Sequence, residues 1–264
     1  MKKLVLTLAA LAFSAGTVLA QDVVRMGTEG AYPPFNFIND NNELEGFEID
    51  LGNAMCERAG LTCEWVINDW DTIIPNLVAG NYDTIMAGMS ITEARAEVIS
   101  FTQNYKYGDP SSFMALAGTD ESVIESGVIA AQSNTVQAGL VAESGASLLE
   151  FPTPDETIAA VRGGEADAVL ADGAFLQTIV DESGGELEIL GEPVLIGDGI
   201  GMGVRQSDNE LRETFNAVIA EMKEDGSLNE LIVKKKRCTR DAMHEIGDQF
   251  RAVRRMHDFG MELD

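Results

Sequence analysis

AGNYDTIMAG (residues 79–88) and GGEADAVLAD (residues 163–172) share glycine, aspartate and alanine at a constant offset of 84 residues. Each reads as a helix end, a tight turn and a strand that runs out at its C-terminal edge. Chance and the generic wording of α/β chains also produce echoes this short, so the flanking sequence has to carry the comparison. Upstream of the first copy, DVVRMGT reads as a strand and EIDLGNAMCERAG as a helix with Leu51, Met55 and Ala59 on one face, closed by Gly60. CEWVI follows as a strand and DTIIPNLVAG as a helix, with Asp71 as its expected N-cap and Gly80 past its end. Around the second copy, SSFMALA, GVIAAQ and ADAVLAD read as strands and PDETIAAVRGG as a helix with Pro154 near its start.

Strands separated by helices imply mostly parallel sheets with right-handed crossovers, and the echo implies two similar lobes. A last strand in GDGIGMGVRQ precedes the helix DNELRETFNAVIAEMKEDG, whose Leu211, Phe215, Val218 and Met222 recur at helical spacing. Returning this segment to the first lobe makes two crossings, near Gly108 to Ser112 and near Ile196 to Gly199. The expected division is lobe 1 at 21–109 and 198–233, and lobe 2 at 110–197. Two crossings make a hinge and a cleft.

MKKLVLTLAALAFSAGTVLA (1–20) has a basic start, an apolar run too short to span a bilayer, and small residues before Gln21. It reads as a secretory signal peptide cut after Ala20. Residues 21–233 carry 8 Lys and Arg against 38 Asp and Glu, whereas 234–264 carry 8 against 6. Such an acidic body repels nucleic acid and anionic membranes. Both histidines, His244 and His257, fall in the tail, which leaves no material for a zinc site or a histidine triad, and no cofactor is expected. An exported chain meets an oxidising compartment, where Cys56 and Cys63 can close a disulfide; two buried free thiols are the alternative.

In a body this poor in cations, Arg95 at the end of IMAGMSITEAR stands out. It is either a surface ion pair with Glu93 or Glu97, or the fork that holds a carboxylate with two parallel N–H bonds. If the echo is real, Gly88 and Asp172 occupy equivalent strand ends, where ligands of open α/β sheets collect. Asp172, the Ser90 hydroxyl and the Gly88 carbonyl suit an ammonium, and N–H groups around Thr135 suit a carboxylate. Tyr32 and Trp70, in loops after expected strands, could sandwich a ligand side chain, with Glu29 meeting its far end. Taken singly, Trp70 also reads as a core cap and Glu29 as one more surface carboxylate.

From about Val23 to about Val233 these motifs resemble the periplasmic solute-binding proteins of polar amino-acid ABC importers, including the lysine/arginine/ornithine-, histidine-, glutamine- and opine-binding branch. GFEIDLGNAMCERAG is similar to the family signature, with Gly46, Phe47, Glu48, Asp50 and Leu51 in place. MAGMSITEAR resembles the ligand loop, and QSNT the loop of the second lobe. The resemblance implies a type II periplasmic-binding-protein fold and no enzymatic activity. It assigns Gly88, Ser90 and Asp172 to the ligand ammonium, Arg95 and Thr135 to its carboxylate, and Tyr32 and Trp70 to an aromatic sandwich. It also implies a disulfide between Cys56 and Cys63 and an acid at Glu29 facing a basic side chain. The implied partners are an amino-acid ligand and a membrane permease with its cytoplasmic ATPase, served by a monomer. A dehydratase-like exported enzyme, of the cyclohexadienyl dehydratase kind, is the alternative on the same fold. The basic tail 234–264, with the odd Cys238, departs from the family's ending and reads as an unrelated extension.

Overall fold

The computed structural model describes residues 23–107 and 110–233. The expected export segment and its expected cut after Ala20, the tail with Cys238, and Gly108 and Asp109 near the expected first crossing lie outside the described residues. The chain begins with β1 (Val24–Thr28), a small sheet of β2 (Ala31–Tyr32), β3 (Asn36–Ile38) and β4 (Leu44–Glu45), and helix α1 (Phe47–Ala59). Next come β5 (Cys63–Ile67), α2 (Trp70–Val78), β6 (Thr84–Ile85), α3 (Glu93–Ala96) and β7 (Ser100–Phe101). The second half runs β8 (Ser111–Leu116), α4 (Val123–Ser126), β9 (Val128–Gln132), α5 (Val136–Glu143), β10 (Ser147–Phe151) and α6 (Pro154–Gly163). It closes with β11 (Ala168–Asp172), α7 (Gly173–Glu182) and β12 (Leu187–Val194), before β13 (Gly203–Val204) and α8 (Asn209–Glu224).

Two five-stranded sheets result, in the orders β5-β1-β6-β13-β7 and β10-β9-β11-β8-β12. The orders correspond strand for strand, and the 84-residue offset carries β5 onto β10, α2 onto α6 and β6 onto β11. The echo is therefore an architectural repeat, with β6 and β11 at the centres of equivalent sheets. The expectation of mostly parallel sheets holds only on one side of each. β1 pairs in parallel with β5 and β6, as β9 does with β10 and β11, but β13 and β8 each pair antiparallel to both neighbours. The reason is connectivity: β8 and β13 enter their sheets from the crossings rather than through a helical crossover, which is what parallel pairing needs. The crossings meet where Ile200 N donates to the Lys106 carbonyl at 2.9 Å and Tyr105 N to the Ile200 carbonyl at 3.0 Å.

Each sheet is covered on both faces. Trp70, Ile73, Leu77, Tyr82 and Ile85 form one cluster against the first sheet, and Ile129, Val141, Ala168 and Leu170 one against the second. A larger cluster contains Leu51 and Met55 of α1 with Phe215, Val218, Ile219 and Met222 of α8, and β13 joins the sheet of β5, β1 and β6. Fully burying one such side chain contributes roughly 1.5–3 kcal/mol. Gly46 opens α1 at φ +139°, and a Cβ there would lie 2.0 Å from the Phe35 carbonyl oxygen, so only glycine fits this entry. One cap differs from expectation. Helix α2 begins at Trp70 with Asp69 at the cap position, which places Asp71 in the first turn, where its charge still meets the helix dipole.

Cys56 and Cys63 are joined by a disulfide that staples the end of α1 to the start of β5. A loop this short predicts that replacing both by serine costs about 2–3 kcal/mol. Calorimetry should then find the unfolding midpoint lower by roughly 4–12 °C; an unchanged midpoint would mean the bridge merely decorates a helix end already fixed by packing.

Candidate functional site

All eight residues singled out in the sequence line one cleft between the sheets, together with Ala87, Gln132, Val136 and Gln137. They arrive from both lobes because β6 and β11 end there. Two of them sit on elements other than those expected: Tyr32 belongs to β2 and Trp70 is the first residue of α2, neither lying in a loop. Short β2 is held by pairing with β3, a tertiary effect that two residues of sequence do not announce.

Arg95 does not behave as a surface cation. Arg25, Arg58, Arg162, Arg205 and Arg212 each pair with a carboxylate. Arg95 instead donates from Nη1 to the Ser90 carbonyl at 2.8 Å and from Nη2 across the cleft to the Asn134 carbonyl at 3.1 Å. Its guanidinium carbon lies 5.3 Å from the centre of the Trp70 ring, a cation–π contact. Burial lowers its pKa to about 10, opposed by the attraction of Asp172, so it stays charged at neutral pH. The two bonds use one hydrogen on each terminal nitrogen, and a guanidinium carries five. The cap of α3 assists: Thr92 Oγ1 accepts from Arg95 N, fixing the backbone from which the side chain projects.

Asp172 ends β11, as expected. Its Oδ2 accepts from the Tyr32 hydroxyl at 2.9 Å and its Oδ1 from Gln137 Nε2 at 3.3 Å. Tyr32 also lies against Phe175 of α7, centroids 4.4 Å apart and nearly parallel, so one ring face is already covered from the other lobe. Its phenol pKa is driven well above the ordinary value by burial and by the Asp172 charge. Thr135 caps α5, accepting from Ala138 N at 3.1 Å and donating to the Gln132 carbonyl at 2.7 Å. Gly88 turns at φ +63°, and its N–H donates inward to Glu48 Oε1 at 2.7 Å.

At the opposite end, Glu29 Oε1 accepts from Gln132 Nε2 at 2.6 Å across the cleft. Burial raises its pKa to about 7, the Gln132 bond works against that, and the carboxylates of Asp69, Asp71 and Asp155 raise it further. Five acidic side chains thus face or flank one cleft whose cation is Arg95. A fourth bond between the lobes runs from Asn134 Nδ2 to Asp71 Oδ1 at 2.9 Å.

Three polar residues of this site were not singled out from sequence as cleft residues. Gln132 and Gln137 bracket Thr135; the advance signals were an amide at the carboxyl end of the otherwise apolar strand GVIAAQ and its place at the head of QSNT, and both concern Gln132 alone. Glu48 was noted only as part of a signature, and a fully buried carboxylate cannot be told from a solvated one by its letter.

The profile described as bacterial extracellular solute-binding proteins, family 3, matches residues 24–235. The histidine-binding periplasmic protein of Escherichia coli K12 is 35% identical over 252 residues, covering 89% of this chain and 96% of that protein. The L-arginine-binding protein of Pseudomonas aeruginosa is 30% identical over 247 residues, covering 88% and 95%. Among solved structures, a periplasmic His/Glu/Gln/Arg/opine family-binding protein from Silicibacter pomeroyi, in complex with lysine, is 64% identical with a TM-score of 0.77, covering 80% of this chain and 95% of that one. Two sheets of matching strand order, a cleft between their strand ends and a family match over nearly all the described residues lead to one statement: this chain belongs to the bacterial extracellular solute-binding proteins of family 3.

Proposed function

We propose that this protein captures an L-amino acid with a cationic side chain in the periplasm and delivers it to the permease of an ABC importer. The observation that carries the reading is the charge pattern of the cleft, with Arg95 at one position and carboxylates at two others, Asp172 and Glu29. Arg95 and the Thr135 end of α5 take the ligand carboxylate, while Asp172, Ser90 and the Gly88 carbonyl take its ammonium. Trp70 and the uncovered face of Tyr32 flank the side chain, and Glu29 meets its terminal charge. Relatives named for histidine and arginine, and a structure holding lysine, support the ligand class and the periplasmic setting. Because the groups come from both lobes, ligand binding favours the closed arrangement over an open one. No bond of the ligand is broken in this role.

The test is pH dependence. A carboxyl group raised to about 7 by burial favours the protonated state, so its share of stability in the ligand-free protein is present below the unfolded value of 4.5 and lost as pH rises through 7. A ligand cation favours the carboxylate and lowers that pKa, so binding below pH 7 must release a proton. Affinity for lysine or arginine should therefore fall by up to about tenfold per pH unit below 7. Affinity for glutamine should stay level. Calorimetry at pH 6 and 8 checks this, and parallel behaviour of lysine and glutamine would remove Glu29 from cation recognition.

The same raised pKa would suit a general acid, which is what an exported lyase of the cyclohexadienyl dehydratase kind needs. Gln132 opposes that use, because its amide donates to Glu29 and thereby favours the carboxylate. We expect no turnover of prephenate by the purified protein; turnover would decide for the enzyme.

A further inference from the structure

Glu48 lies in the first turn of α1, fully buried, and does not itself line the cleft. Its Oε1 accepts from Gly88 N at 2.7 Å and from the Tyr105 hydroxyl, and its Oε2 accepts from Asn36 Nδ2 at 2.7 Å. Asn36 is itself anchored, since its Oδ1 accepts from Gly30 N at 2.8 Å. One carboxylate thus gathers three separate pieces of the site: the Gly88 turn, the Glu29-Gly30 turn, and Tyr105, the residue beside which the two crossings pair. A buried carboxylate is costly unless paired and hydrogen-bonded. Burial raises the pKa of Glu48, and the three donors and the nearby Lys106 ammonium work against that by favouring the charged form. A hydrophobic residue would fill the space without that cost, but it could not hold three donors in fixed relation.

We infer that Glu48 is a positioning residue that ties the Gly88 turn and the Glu29 turn to the root of the hinge. The inference rests on the proposed ligand-binding role of the cleft for its consequence, and on the geometry alone for its mechanism. With the tie intact, the Gly88 carbonyl and the Glu29 carboxylate are set before any ligand arrives. Lost order in either turn has to be recovered on binding, which lowers affinity.

Two variants test it. Glu48→Gln removes the charge, leaves one acceptor oxygen for three donors and sets its NH2 against at least one of them, and Tyr105→Phe removes one donor while keeping the ring that fills the core. Hydrogen exchange of the ligand-free protein is read first, because it needs no ligand. The Gly88 amide should exchange about tenfold faster in both variants, the scale of one hydrogen bond to a charged group, while Ile129 and Ala130 in β9 keep their rates. Affinity for lysine is read second and should fall by about tenfold to a hundredfold, the cost of losing such a bond. A Gly88 rate unchanged relative to β9 in Tyr105→Phe and Glu48→Gln overturns the inference, even where the midpoint drops, since a merely structural carboxylate would lower stability alone. Faster Gly88 exchange with lysine affinity intact also overturns it. Should the wild-type chain bind no basic amino acid, the functional reading fails, and the exchange data still decide whether Glu48 sets the turn.

Discussion

Asp172→Ala should weaken binding of lysine or arginine by about 2–5 kcal/mol, the penalty for leaving a buried charge without its partner. Two effects combine. The ligand ammonium loses its counter-charge, the Tyr32 hydroxyl loses the acceptor that holds it across the cleft, and the Gln137 amide loses an acceptor within its own lobe. Asp172→Asn separates the two, because an amide oxygen can still accept from Tyr32 while the charge is gone. If both variants lose affinity to a similar degree, the charge dominates. If only the alanine variant does, Asp172 acts by arranging its neighbours. Retained affinity in both would place the ammonium elsewhere and remove the repeat argument for β11 as a ligand-bearing strand end. Calorimetric titration alongside unfolding midpoints distinguishes a lost contact from a lost fold.

Arg95→Lys keeps the charge and should still cost about 1.5–3 kcal/mol of binding, the worth of one hydrogen bond to a charged group. The guanidinium bonds two carbonyls on opposite lobes and keeps further N–H donors for a carboxylate, a combination that an ammonium cannot copy. The planar contact with Trp70 is weakened as well. The loss should be the same for every α-amino acid, because the carboxylate is common to all of them. A loss confined to basic ligands would contradict that assignment, and unchanged affinity would return Arg95 to a role in closing the lobes.

The repeat was legible because β5, α2 and β6 and their counterparts are built from local signals: apolar runs, helix caps and glycine-bearing turns at matched spacing. The mixed direction of the sheets was not, since it follows from where the chain re-enters through the hinge. Two-residue strands such as β2 and β7 exist only by virtue of their partners, and no local pattern marks them. The charged and aromatic groups of the cleft stood out against an acidic, cation-poor background. Gln132 and Gln137 did not, because an amide has no charge to set it apart. Asp71 was misplaced as a cap because Trp70, a poor-looking first residue, is drawn into α2 by its own burial against Ile73 and Leu77.

The central claim is tested most directly by titrating the mature protein, unfolded and refolded to strip bound ligand, with lysine, arginine, ornithine, histidine, octopine, glutamine and glutamate in turn. At about 100 times its Kd a true ligand adds roughly 2.7 kcal/mol, which raises the unfolding midpoint by about 5–11 °C for a chain of this size. The account predicts that shift with one or more of the cationic ligands and a much smaller one with glutamine and glutamate. A shift only with glutamine or glutamate, or none with any of the seven, would contradict it.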